Sequence, residues 1–70
     1  MIAAAIAAQP KFAAALAKLE LVREENNIRV YRKSVRMYWA VYLNHQGDAV
    51  YTDGRSAEVA FGEAAARTAP

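Results

Sequence analysis

The sequence predicts a two-layer α+β domain of order αβββα, a three-stranded antiparallel sheet with two helices on one face, and three observations carry that expectation. Val35–Leu43 alternates: Val35, Met37, Trp39, Val41 and Leu43 fall on one side of a pleat and Arg36, Tyr38, Ala40 and Tyr42 on the other, the period of a half-buried strand. Asn44-His-Gln-Gly-Asp48 has the chemistry of a turn, with Gly47 able to take a positive φ, and it joins this strand to a short following one, Ala49–Thr52. Pro10 and Ser56 mark a helix start on either side, one as a first-turn proline and the other as an N-cap hydroxyl.

Taken in order, Met1–Ala8 is apolar but has no basic segment before it, and Pro10, Lys11, Lys18 and Glu20 interrupt it well short of the ~20 apolar residues that a membrane span needs. Residues 1–9 therefore read as a soluble helical arm, either ordered or frayed, and not embedded in a membrane. The main N-terminal helix is expected from Pro10 to about Glu25, closed by Asn26-Asn27. On its wheel Phe12, Leu16 and Leu19 form an apolar stripe flanked by Ala15 and Val22, with Glu20 and Glu24 on the polar side. Ala14, Ala17 and Leu21 make a second smooth strip nearly opposite Phe12. That strip is either a self-association face, giving a homodimer, or the by-product of alanine raising helix propensity.

Ile28–Lys33 reads as a strand, with Ile28 and Val30 on one face and Arg29, Tyr31 and Lys33 on the other. Its apolar positions are even whereas those of Val35–Leu43 are odd, so a turn or bulge near Arg32–Ser34 is expected to reset the phase and bring both sets into one core. Trp39 is expected to be largely buried there, against Phe12 or Leu16. The last helix is expected from Ala57 to about Arg67, with Glu58 near its positive end, Glu63 and Arg67 spaced i,i+4, and Phe61 with Ala57 and Ala64 as its apolar face. Gly62 costs about 1 kcal/mol relative to alanine, so this helix reads as weakly anchored, and residues 68–70 read as a disordered tail.

The 70 residues make one small domain, of a size that buries roughly 60% of its unfolded surface. The absence of cysteine removes disulfides and thiolate metal sites, and a reducing cytoplasm is the expected setting. A net charge of +2 and a pI near 9.2 permit contact with nucleic acid or an acidic protein without requiring either.

With both helices on one face, the other sheet face is left to solvent. Parity places Arg29, Tyr31, Lys33, Arg36, Tyr38 and Tyr42 on it, joined by Tyr51 if Val50 points inward, and five of the nine Lys and Arg residues lie between Arg23 and Arg36. Tyrosine beside arginine suits a protein interface, where the ring buries area at little entropy cost and the guanidinium makes forked hydrogen bonds. The same face could stack bases while its cations neutralise phosphates. It could also be an ordinary solvated surface, because tyrosine is a good strand former.

Catalytic chemistry has little to stand on, and no catalytic, cofactor or metal residue is expected. The lone His45 sits in a turn near Asp48 and Asp53 without further ligands, Ser34 and Ser56 lack a paired base, and Glu24-Glu25 are adjacent and cannot oppose each other on a helix. A domain this thin is also expected to lack a pocket of ~300 Å³ or more. The sequence thus predicts a non-catalytic binding or regulatory module that docks a Tyr/Arg-rich sheet face or edge on a larger protein, with a nucleic-acid-binding regulator using the same face as the alternative.

The order of elements resembles that of double-stranded-RNA-binding domains and of the small toxins that share their fold, although the Gly-Ser-His-His motif of those toxins does not occur here. Tyr38–Arg67, strand-turn-strand and then Ser-Ala-Glu into a helix, is similar to the arm-binding domains of phage integrases. In size, absence of cysteine and absence of catalytic machinery the chain also resembles the small accessory inhibitors of phages and mobile elements, anti-CRISPR proteins among them.

Overall fold

The computed structural model describes residues 1–69. Their order is α1 (Ile2–Ala7), α2 (Pro10–Ala17), β1 (Glu20–Glu25), β2 (Ile28–Ser34), β3 (Met37–Leu43), β4 (Ala49–Gly54) and α3 (Ala57–Thr68). The strands form one antiparallel meander, β1-β2-β3-β4. The domain is α+β as expected, with a fourth strand and a third helix.

The extra strand lies where the long helix was expected. α2 stops at Ala17, its end tightened by Lys18 and Leu19 donating back to the Ala15 and Leu16 carbonyls, and Glu20–Glu25 runs as a strand. Asn26 and Asn27 have φ values of 54° and 62°, the pair of left-handed residues that a tight two-residue hairpin requires and that asparagine tolerates. Across that hairpin Glu20 lies opposite Arg32 and Glu24 opposite Arg29, so opposite charges meet directly in the ladder. The register shifts between Leu21 and Arg23, leaving Val22 as an unpaired bulge. Ala14, Ala17 and Leu21 therefore do not form a helical strip. All three are exposed, but Leu21 belongs to β1, and the self-association face expected on one long helix does not exist.

The sheet is covered on both faces, which corrects the two-layer expectation. Residues opposite each other in β2 and β3 share parity, Tyr31 with Trp39 and Val30 with Ala40. The odd set (Tyr31, Trp39, Val41, Leu43) and the even set (Ile28, Val30, Ala40, Tyr42) thus project to opposite sides. A register shift does occur between Arg32 and Ser34, but beyond the packed part of the strands, so it does not merge the two sets. There are two half-cores. On one side Ile2, Ile6 and Leu16 pack on Tyr31, Val41 and Ala49, with Phe12, Leu19, Trp39 and Leu43 around them. On the other, Ala60 and Ala64 of α3 pack on Ile28, Val30, Ala40 and Tyr42, with Tyr38, Val50 and Phe61 around them.

Each layer is fastened by identifiable contacts. Residues 2–7 are not a frayed arm: Ile2 and Ile6, one turn apart, are both buried, and the Ile2 amide donates to the Asn27 side-chain oxygen at 3.0 Å. Gln9 donates from Nε2 to the Ala49 carbonyl at 2.9 Å, tying the α1–α2 corner to the start of β4. Nor is α3 weakly anchored. The Ser56 hydroxyl accepts from the Val59 amide at 3.1 Å, and Ala60 and Ala64 are fully buried, small enough to let helix and sheet approach closely. The approach is closest at Gly54, where a Cβ would stand 2.7 Å from the Ala60 nitrogen. Gly47 takes its expected positive φ, 83°, in the turn held by Asn44, whose side-chain oxygen accepts from the Gln46 and Asp48 amides. Thr68 is the last residue of α3 rather than part of a tail, and Pro70, expected to belong to that tail, lies outside the described residues.

Candidate functional site: an aromatic corner beside an open strand edge

The α1–α2 layer covers only part of its sheet face. Beyond it, β2, β3, β4 and α2 bring Lys33, Trp39, Tyr51 and Phe12 together. Tyr51 lies between two rings, its centroid 4.5 Å from Trp39 and 5.9 Å from Phe12, and the Lys33 ammonium sits 4.5 Å above the Trp39 ring. Offset rings and a cation over an indole are favourable geometries in themselves. Tyr51 remains 47% exposed, and Met37, on the same face as Trp39, is also exposed. Trp39 is half-buried, less than expected, and its aromatic neighbour is Tyr51. The corner is thus an apolar surface with one cation, built from three neighbouring strands and α2.

Beside it runs the outer edge of β4. Asn44 donates to the Asp48 carbonyl, and successive residues of an antiparallel strand aim their main-chain groups to alternate sides. Ala49, Tyr51 and Asp53 therefore face away from β3. Gln9 occupies the Ala49 carbonyl; β4 is the last strand of the sheet, and among the described residues the main-chain N–H and C=O groups of Tyr51 and Asp53 meet no strand. A shallow depression of about 300 Å³ lies along the same edge, lined by Gln9, Phe12, Ala49, Val50 and Tyr51. A second, more polar one of about 350 Å³ is lined by Tyr42, Leu43, Asn44, His45, Arg67 and Thr68. Both reach the ~300 Å³ that a domain this thin was expected to lack, because they are open hollows on its surface and need no thick interior. At the opposite edge β1 carries Glu20, Arg23, Glu24 and Glu25 and the Val22 bulge, features that blunt an edge against pairing.

The seven residues expected to share one exposed face are dispersed. Tyr31 and Lys33 lie on the α1 face with Arg29 and Tyr51, whereas Tyr38 and Tyr42 lie under α3. Tyr31 and Tyr42 are buried, Tyr38 is half-buried, and Arg36 is exposed in the β2–β3 turn. Only Lys33 and Tyr51 meet in the corner. Its other two members, Trp39 and Phe12, read from the sequence as core, because alternation tells which side a residue faces and not how far a covering helix extends.

The arginines of β1 and β2 have carboxylate partners. Arg23 pairs with Glu25 at 3.0 Å, Arg29 with Glu24 at 2.7 Å and Arg32 with Glu20 at 2.9 Å. Arg23 also lies over the Phe61 ring, 3.6 Å from its centroid. Glu24 first, and Tyr31 second, raise the Arg29 guanidinium above its ordinary value, so it stays charged at any working pH. Tyr42 does the same for the exposed Arg67, with a smaller push from Glu63. Among the described residues no group of three or more His, Cys, Asp or Glu side chains could hold a metal ion, and no helix is long and apolar enough to cross a membrane. No family model, curated protein or solved structure matches the chain.

Proposed function

We propose that the protein is a non-catalytic binding module that docks on a larger protein through the Phe12–Trp39–Tyr51 corner and the adjoining β4 edge, acting in a reducing cytoplasm that suits its lack of cysteine. The observation that carries this reading is the corner itself: two rings and a cation held on strands and a third ring on α2, half open to solvent. Rigid aromatic groups that are already packed against one another bury area on binding without losing much rotamer freedom, which is how interface anchors work.

The same corner could stack nucleobases, but its electrostatics favour protein. Three sheet arginines are neutralised by glutamates and the whole chain carries only +2, whereas affinity for nucleic acid comes largely from unpaired cations on phosphates. An inhibitor of another macromolecule is the kind of activity such a module performs, in line with the small accessory proteins that its size and composition resemble.

The test is affinity capture from a cell lysate on the immobilised protein, with and without nuclease, beside a column of Tyr51→Ala. A protein species retained after nuclease on the unaltered column and lost from the variant is expected. Retention that nuclease abolishes, or that Tyr51→Ala leaves intact, contradicts the reading.

A further inference from the structure

The open edge of β4 and the depression beside it are separate observations that fit one kind of ligand. Tyr51 and Asp53 offer two N–H donors and two C=O acceptors in a row, spaced as a neighbouring strand would meet them. Ala49, Tyr51, Gln9 at the α1–α2 corner and Phe12 of α2 shape an apolar hollow against the same edge. When an extended segment adds to a sheet, main-chain hydrogen bonds supply affinity and a pocket for an alternate side chain supplies selectivity. Gln9 closes the row at one end by taking the Ala49 carbonyl, which fixes where an added strand stops and brings its side chains alongside the hollow.

We propose that β4 accepts an added strand: an extended segment of a partner protein pairs with the main chain of Tyr51 and Asp53 and places one large apolar side chain, such as leucine or phenylalanine, between Gln9, Phe12 and Tyr51. This inference rests on the protein-binding reading above and names its mode. A second copy of this chain is the poorer occupant. Pairing two β4 strands about Thr52 sets Arg55 of the second copy opposite Ala49, and pairing about Tyr51 sets Asp53 there, so either register aims a charge at an apolar hollow. The register that brings an aromatic ring opposite Ala49 is centred on Val50, and it needs the carbonyl that Gln9 already holds.

The experiment uses a displayed library of random peptides of about twelve residues, selected on the full chain, and the recovered peptides synthesised for titration. Selected sequences are expected to be strand-forming with one large apolar residue. Replacing that residue by alanine, or Phe12 by alanine in the protein, should weaken binding about tenfold or more. Asp53→Pro removes only an outward N–H, a substitution that edge strands tolerate, and it should abolish binding with the fold intact by circular dichroism. Should that variant unfold, N-methylation of the peptide at one alternate set of amides must abolish binding to the unaltered protein while methylation of the other set leaves it, and amide exchange at Tyr51 and Asp53 must slow on binding. Peptides indifferent to all of these changes bind elsewhere and overturn the edge inference while leaving the protein-binding reading in place. Absence of any binder, with lysate capture still positive, has the same meaning; absence of both removes the two together. Recovery of the Ala49–Gly54 sequence itself, or dimers in sedimentation abolished by Asp53→Pro, would assign the edge to a second copy and overturn the proposal.

Discussion

Two glycines separate what close packing requires from what backbone freedom costs. Gly54 is the point where β4 passes beneath the first turn of α3, and a Cβ there would stand 2.7 Å from the Ala60 nitrogen and 3.0 Å from its Cα, main-chain atoms that cannot swing aside. Gly54→Ala is expected to destabilise the fold by about 1–3 kcal/mol through overpacking, read from the shift of the urea midpoint. Gly62 faces open space inside the same helix, with nothing within 4 Å of a Cβ, and Gly62→Ala should stabilise by about 0.5–1 kcal/mol by lowering the entropy of the unfolded chain. Equal effects of the two substitutions would mean that α3 does not approach β4 as described. Asn26 and Asn27 show a different residue-scale constraint, since their left-handed backbone is what lets the six residues of β1 fold back on β2 in a tight hairpin.

At the scale of elements, the strands after Asn27, the Gly47 turn and the Ser56 cap were legible because each has a local signature: alternation, a positive-φ residue, a hydroxyl that accepts from the first turn. The strand Glu20–Glu25 was not, because its apolar residues also fit a helical wheel begun by Phe12 and Leu16. Its signal lay in the charges, with Glu20 and Glu24 mirrored across Asn26-Asn27 by Arg32 and Arg29, a pattern that cross-strand pairing explains and a helix does not. The layering was illegible for a related reason. Periodicity shows that Ile28 and Val30 oppose Trp39 and Val41 in parity, yet one core with a phase reset and two cores on opposite faces satisfy it equally. The choice was made by residues 2–7, whose Ile2 and Ile6 cover the second face. Ile6→Ala is accordingly expected to cost about 2–4 kcal/mol, whereas Ala7→Ser, on an exposed position of the same helix, should change stability by less than about 0.5 kcal/mol. An Ile6→Ala protein with an unchanged melting temperature would return α1 to the status of a loose arm.

For the molecule as a whole, covering both sheet faces with only 70 residues buries most of the large apolar side chains and leaves the aromatic corner around Tyr51 half open. The four tyrosines report this directly, because a single exposed sheet face would present them alike. Here Tyr51 is 47% exposed while Tyr31 is 7% and Tyr42 8%, and Tyr38 is half-buried. The most direct measurement is the rate of nitration at each tyrosine of the native protein, resolved by peptide mass spectrometry. Tyr51 is expected to react first and Tyr38 more slowly, with Tyr31 and Tyr42 protected until the protein is unfolded. Modification of Tyr31 and Tyr42 at the rate of Tyr51 in the folded protein would contradict that expectation.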